Sequence, residues 1–83
     1  MRIISKKKIR EYSKNNSQAE LPLLEWYLTM QVACAKNLNE LQQTFNSVDS
    51  VNGYTVFNIG GNNYRLITAI HYDRQLFYIR EIW

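Results

Sequence analysis

From Tyr54 onward the chain is made of three short runs rich in β-branched and aromatic residues, separated by turn residues, whereas the stretch before it repeats its apolar residues at helical spacing. Periods of 2 and 3.6 put side chains on incompatible faces, so a segment written for one cannot settle into the other. Helices followed by an antiparallel meander define an α+β domain, with N-terminal helices packed on one face of a small, mainly antiparallel sheet. The 83 residues supply one core, hence one domain spanning 1–83.

Local signals set the expected elements. Arg2-Ile3-Ile4 is a short strand, and Ser5 caps a helix over Lys6–Lys14 whose Ile9 and Tyr12 share a face. Asn15-Asn16-Ser17 reads as a break with Ser17 as the next cap. A long helix is expected over residues 18–36, with Leu23, Tyr27, Met30 and Cys34 in one stripe and Pro22 tolerated in the first turn. Asn39–Phe45 gives a shorter helix and Asn46–Gly53 a polar loop. Tyr54–Ile59, Tyr64–Tyr72 and Leu76–Ile82 form a three-stranded meander, with Gly60-Gly61-Asn62 and Asp73-Arg74 as its turns. Trp26 and Tyr27 belong to helix–sheet packing. Leu28, Met30 and Val32 add apolar surface beyond what a small core absorbs, and part of it is expected to meet a partner protein.

Composition narrows the chemistry. Cys34 is the single cysteine, which excludes an internal disulfide and suits a reducing cytoplasm. No apolar run is long enough to span a membrane, and the basic start does not read as a signal peptide. One histidine and one cysteine do not build a structural zinc site, and the scattered acids form no magnesium cluster. Neither metal nor cofactor is expected. Residues 1–20 hold six cations against Glu11 and Glu20, and the other residues four cations against five acids, so the net +3 is concentrated at the N-terminus. Lys6, Lys7 and Lys8 are therefore candidates for binding an anionic partner.

Alternation selects the open face of the sheet. Tyr64, Leu66, Thr68, Ile70 and Tyr72 point toward the helices; Arg65, Ile67, Ala69 and His71 point away. A two-residue turn at Asp73-Arg74 puts Tyr78, Arg80 and Ile82 on the same open side, with Ile82 facing Arg65 and the two arginines diagonal neighbours about 7–8 Å apart. Two arginines so close repel unless an anion lies between them or acids such as Glu81 or Glu11 pair with them. Tyr78 beside Arg80 suits unpaired bases and phosphates. His71 lies six residues from Arg65 along one strand, about 20 Å away, and does not share a phosphate with it.

The opening Arg2-Ile3-Ile4-Ser5-Lys6-Lys7-x-Ile9-Arg10-Glu11, the pair Trp26-Tyr27, the stretch Val56-Phe57-Asn58-Ile59-x-Gly61-Asn62-x-Tyr64-Arg65-Leu66 and the terminal Tyr78-Ile79-Arg80 together resemble HigB-type toxins, within the RelE-like group of bacterial toxin–antitoxin mRNA interferases. The resemblance implies a RelE-like fold and metal-independent cleavage of mRNA, usually on the ribosome. It further implies a cognate antitoxin and a bacterial cytoplasmic setting. It carries over Arg65 and Arg80 as active-site residues and Lys6 and Lys7 as RNA contacts. In the family the Tyr-Ile-Arg strand is usually followed by a Thr-His-x-x-Tyr-Asp segment; this sequence ends at Trp83. A chain truncated before that segment is expected to bind RNA and cleave it poorly. The alternative is a non-catalytic RNA-binding or protein-interaction module on the same fold.

Overall fold

A computed structural model describes residues 1–83. The elements run β1 (Arg2–Ile3), α1 (Lys7–Asn15), a 3₁₀ turn (Ser17–Ala19), α2 (Glu20–Val32), α3 (Leu38–Thr44), β2 (Asp49–Val51), β3 (Tyr54–Ile59), β4 (Tyr64–His71) and β5 (Leu76–Ile82). The strands form one sheet in the order β1-β5-β4-β3-β2, antiparallel except for β1 against β5. The architecture is the α+β arrangement that the two periodicities require.

The helix ends differ in detail from the sequence reading. Ser5 Oγ accepts from Lys7 N at 3.2 Å, so it supports a helix that starts one residue later than expected. Ser17 opens the 3₁₀ turn instead of capping α2, which starts at Glu20 without a side-chain cap. Pro22 is the third residue of α2, where its missing N–H is one the helix could not have used. That helix ends at Val32, well short of residue 36, because Ala33 turns extended. In α3, Asn37 Oδ1 accepts from Glu40 N at 2.9 Å while Glu40 Oε1 accepts from Lys36 N at 3.2 Å, a reciprocal cap that fixes the start.

The expected loop at 46–53 closes as a strand. Val51 pairs with Tyr54 across Asn52-Gly53, both with positive φ (52° and 84°). Such a two-residue turn matches the twist of paired strands, and Asn-Gly is its strongest sequence signal. The sheet therefore gains β2 as a fifth strand at the far edge.

The core lies between the sheet and α2. Leu23 and Met30 of α2, Leu41 of α3 and Phe57, Leu66 and Phe77 of the sheet are fully buried. The Trp26 ring meets Phe57 at 5.2 Å and Phe77 at 5.5 Å between centroids, both edge to face, and Phe45 meets Phe57 at 5.1 Å in the same way. Each such pair adds about 0.5–1.5 kcal/mol beyond its buried area. Met30, counted both in the inward stripe and among the surplus apolar residues, is core; Leu28 and Val32 are exposed, together with Leu21 and Leu24.

Candidate nucleic-acid interface

The helices cover one side of the sheet and leave the other bare. On the covered side Thr55, Phe57, Ile59, Leu66, Thr68, Phe77 and Ile79 are buried. Alternation then sends Tyr54, Asn58, Arg65, Ile67, His71 and Tyr78 to the bare side.

The register between β4 and β5 holds as expected from His71–Leu76 through Thr68–Ile79 and then shifts at Ile67/Thr68. Beyond the shift Ile67 faces Glu81 and Leu66 faces Ile82, so Arg80 is the extra residue of a β-bulge. The bulge corrects two expectations. Ile82 packs against the core instead of facing Arg65 on the open side. Arg65 instead exchanges two backbone hydrogen bonds with Trp83, its N donating at 3.0 Å and its carbonyl accepting at 2.8 Å. With Ile79 and Ile82 both held to the helix side, consecutive Arg80 and Glu81 are both exposed.

Arg80 lies with its guanidinium 5.7 Å from the centroid of the Tyr54 ring, within cation–π range. Tyr54, Arg80, Glu81 and Lys8 line one open depression; Arg65, Asn58 and Trp83 line another at the end of the strands. Trp83 Nε1 donates to Glu81 Oε2 at 2.9 Å. Neither arginine has a carboxylate within 4 Å, since the ion pair in the molecule is Lys7–Glu11, at 3.9 Å and exposed. Both guanidinium groups thus keep all their donors for an external acceptor.

The three lysines diverge. Successive helical residues project about 100° apart, so Lys6, Lys7 and Lys8 do not share one surface. Lys8 Nζ donates to the Arg80 carbonyl at 2.6 Å. That carbonyl is free because β1 pairs only with Leu76 and Phe77, leaving the rest of the β5 edge uncovered. Lys7 pairs with Glu11, and Lys6 lies over the Tyr27 ring, 4.4 Å from its centroid. Of the three, Lys8 stands beside the open face.

Tyr78 sits opposite Ala69, and the β3–β4 register continued by one residue brings Tyr54 to the other flank of the same alanine. Two tyrosines across a small residue form an aromatic shelf. His71 stacks at a tilt on Tyr78, ring centroids 5.8 Å apart, well removed from Arg65. Tyr54, Trp83 and Glu81 were not foreseen as members of this face. Tyr54 could have been found from the Asn-Gly turn that precedes it; Glu81 could not, because the bulge exposes it. On the covered side, burial pushes the Tyr72 phenol above its ordinary range; the Thr55 side chain nearby partly offsets this without reaching hydrogen-bond geometry.

The fold is thus a small α+β domain with one sheet face left open and lined by exposed arginines without ion-pair partners and by aromatic rings. The family model for HigB toxins, the RelE-like toxic component of a toxin–antitoxin system, matches residues 19–83, and the chain belongs to that family. The mRNA interferase toxin HigB of Escherichia coli K12 is 27% identical over 85 residues, covering 99% of this chain and 82% of the relative. The mRNA interferases HigB of Escherichia coli O157:H7 and Shigella flexneri match to the same extent.

Proposed function

We propose that this chain acts on mRNA as the toxin of a bacterial toxin–antitoxin pair, gripping the RNA backbone with Arg80 and Arg65 on the open face of the sheet and being restrained by its cognate antitoxin. The observation that carries the reading is the pair of exposed arginines without acidic partners, in a chain of the HigB toxin family. Cleavage of RNA without a metal uses the adjacent 2′-hydroxyl as nucleophile, and the phosphorane gathers negative charge that cations must stabilise. Guanidinium suits this role because its planar fork gives a phosphate two parallel hydrogen bonds. Lys8, bound to the Arg80 carbonyl, and Lys7 on the exposed side of α1 contact the flanking backbone. The Tyr54–Tyr78 shelf takes an unpaired base by stacking. Lys6 contributes least, being turned toward Tyr27.

A second reading, RNA binding with little cleavage, is favoured by the distance between His71 and Arg65. An imidazole about 20 Å along the strand from Arg65 is no general base for a phosphate held there. One experiment separates the two: single-stranded RNA binding and mRNA cleavage, with and without ribosomes, measured for the unaltered chain and for Arg80→Ala. Binding that falls with Arg80→Ala supports the open face in both readings, and cleavage that needs ribosomes supports the ribosome-associated form of the first. RNA affinity that does not respond to Arg80→Ala overturns both.

A further inference from the structure

On the opposite side of the molecule, α1 and α2 enclose a groove of about 360 Å³ that the open sheet face does not share. One wall carries Lys6, Arg10 and Lys14 at i, i+4 and i+8, a line of cations about 6 Å apart. None of the three has a carboxylate within 4 Å. Glu20 is the single acid on the lining. The Ser13 hydroxyl in this groove is shut off from solvent and has no hydrogen-bond partner.

The other wall opens onto an apolar stripe. Leu24 lines the groove, and Leu21, Leu28 and Val32 continue its side of α2; the four are 63%, 47%, 51% and 80% exposed in the order 21, 24, 28, 32. They fall three or four residues apart, the spacing of a face that packs on another helix. A helix apolar on its outer side as well as its inner side is built to be covered.

We propose that this groove and stripe are the docking site for an amphipathic helical segment of a protein partner, with its apolar residues on Leu21, Leu24, Leu28 and Val32 and its carboxylates, one turn apart, on Lys6, Arg10 and Lys14. The proposal rests on the reading of the chain as a toxin with an antitoxin and takes that antitoxin as the partner. RNA matches the cations but gains nothing from the leucines, so the combined surface favours protein.

The test titrates the cognate antitoxin against the full chain, against Leu24→Glu/Leu28→Glu and against Arg10→Gln/Lys14→Gln, at 0.15 M salt, where screening acts within about 8 Å. All four altered residues are exposed, so both variants retain the fold, checked by circular dichroism. Each double change is expected to weaken antitoxin binding at least tenfold, the second also flattening its salt dependence, while RNA affinity stays within twofold. Antitoxin affinity within twofold of the original for both variants overturns the proposal. So does a loss of RNA affinity in Arg10→Gln/Lys14→Gln with antitoxin binding intact, which assigns the groove to RNA. A chain that fails to act on mRNA yet loses the antitoxin in both variants breaks the proposed function and leaves the docking site standing.

Discussion

Strand β4 carries both characters of this molecule on alternate residues. Leu66 and Thr68 are fully buried beneath the helices; Arg65 and Ile67, their immediate neighbours, face outward. On the covered side, three edge-to-face aromatic contacts and fully buried aliphatic side chains fill the space between layers. On the bare side, cations and tyrosines stand without ion-pair partners. The difference teaches a division of labour. One face is committed to cohesion, so its residues are matched in shape, while the other is free to hold charges that the protein itself does not neutralise.

The sharpest way to break this comparison is to remove one side chain from each face. Phe77→Ala on the covered face is expected to cost roughly 3–5 kcal/mol, from lost transfer energy and the cavity left behind. That is a large fraction of the roughly 5–15 kcal/mol available to a small domain. Ile67→Ala on the open face is expected to cost about 1 kcal/mol or less. Urea unfolding of the two variants checks the contrast; equal losses would mean that the open face is also a packing surface.

Next in size are the arginines. In a chain extended by the family's Thr-His-x-x-Tyr-Asp segment, Arg80→Ala and Arg65→Ala are each expected to lower mRNA cleavage about 10²-fold, the scale for losing one transition-state donor. In residues 1–83 the same changes are expected to weaken RNA binding. Arg65→Lys should be damaging too, because the charge survives but the planar fork does not. If both serve one phosphate, the double change costs less than the product of the singles. If the depressions that hold them bind different phosphates, the losses multiply. Single-turnover rates for the four combinations decide between a shared and a divided site.

A smaller effect sharpens the contrast along α1. Lys8→Ala is expected to flatten the log–log salt dependence of single-stranded RNA binding by about 0.7, one phosphate contact. Lys6→Ala should flatten it less, because its ammonium lies over Tyr27 in the other groove. Equal slopes would mean that the lysines act as a diffuse field and that their directions are irrelevant.

The smallest effect is alkaline. The folded-state pKa of Tyr72 is raised by burial from its ordinary value of 10.0. The folded state therefore holds this proton more tightly than the unfolded one. The resulting stability is present below about pH 10 and is lost as pH rises through the folded pKa. Tyr72→Phe should remove that part of the pH dependence, read from thermal unfolding between neutral and alkaline pH.

Much of the fold was legible because it rests on periodicity. The helix–sheet division, the inward stripe of Leu23, Tyr27 and Met30 (though not its expected fourth member Cys34, which is exposed beyond the end of α2) and the covered face of β4 all follow from spacing along the chain. Strand β2 was read as loop: Asn52-Gly53 signals its hairpin, but three residues between turns carry little alternation of their own. The site was less legible. Arg65 and Arg80 could be assigned to the open face from alternation, yet their surroundings could not.

What the sequence determined by itself is everything carried by local repetition: which segments are helical, which alternate, and which face of each is apolar. The physical reason is that these patterns follow from backbone geometry, which every residue obeys alike. The tertiary structure alone decided the bulge at Ile67/Thr68, the consecutive exposure of Arg80 and Glu81, and the dispersal of Lys6, Lys7 and Lys8 to three directions. A bulge trades ladder hydrogen bonds for packing elsewhere, and here it keeps both Ile79 and Ile82 on the core side. The uncovered β5 edge, which gives Lys8 its carbonyl, likewise exists because β1 stops after two residues and α1 crosses beside it.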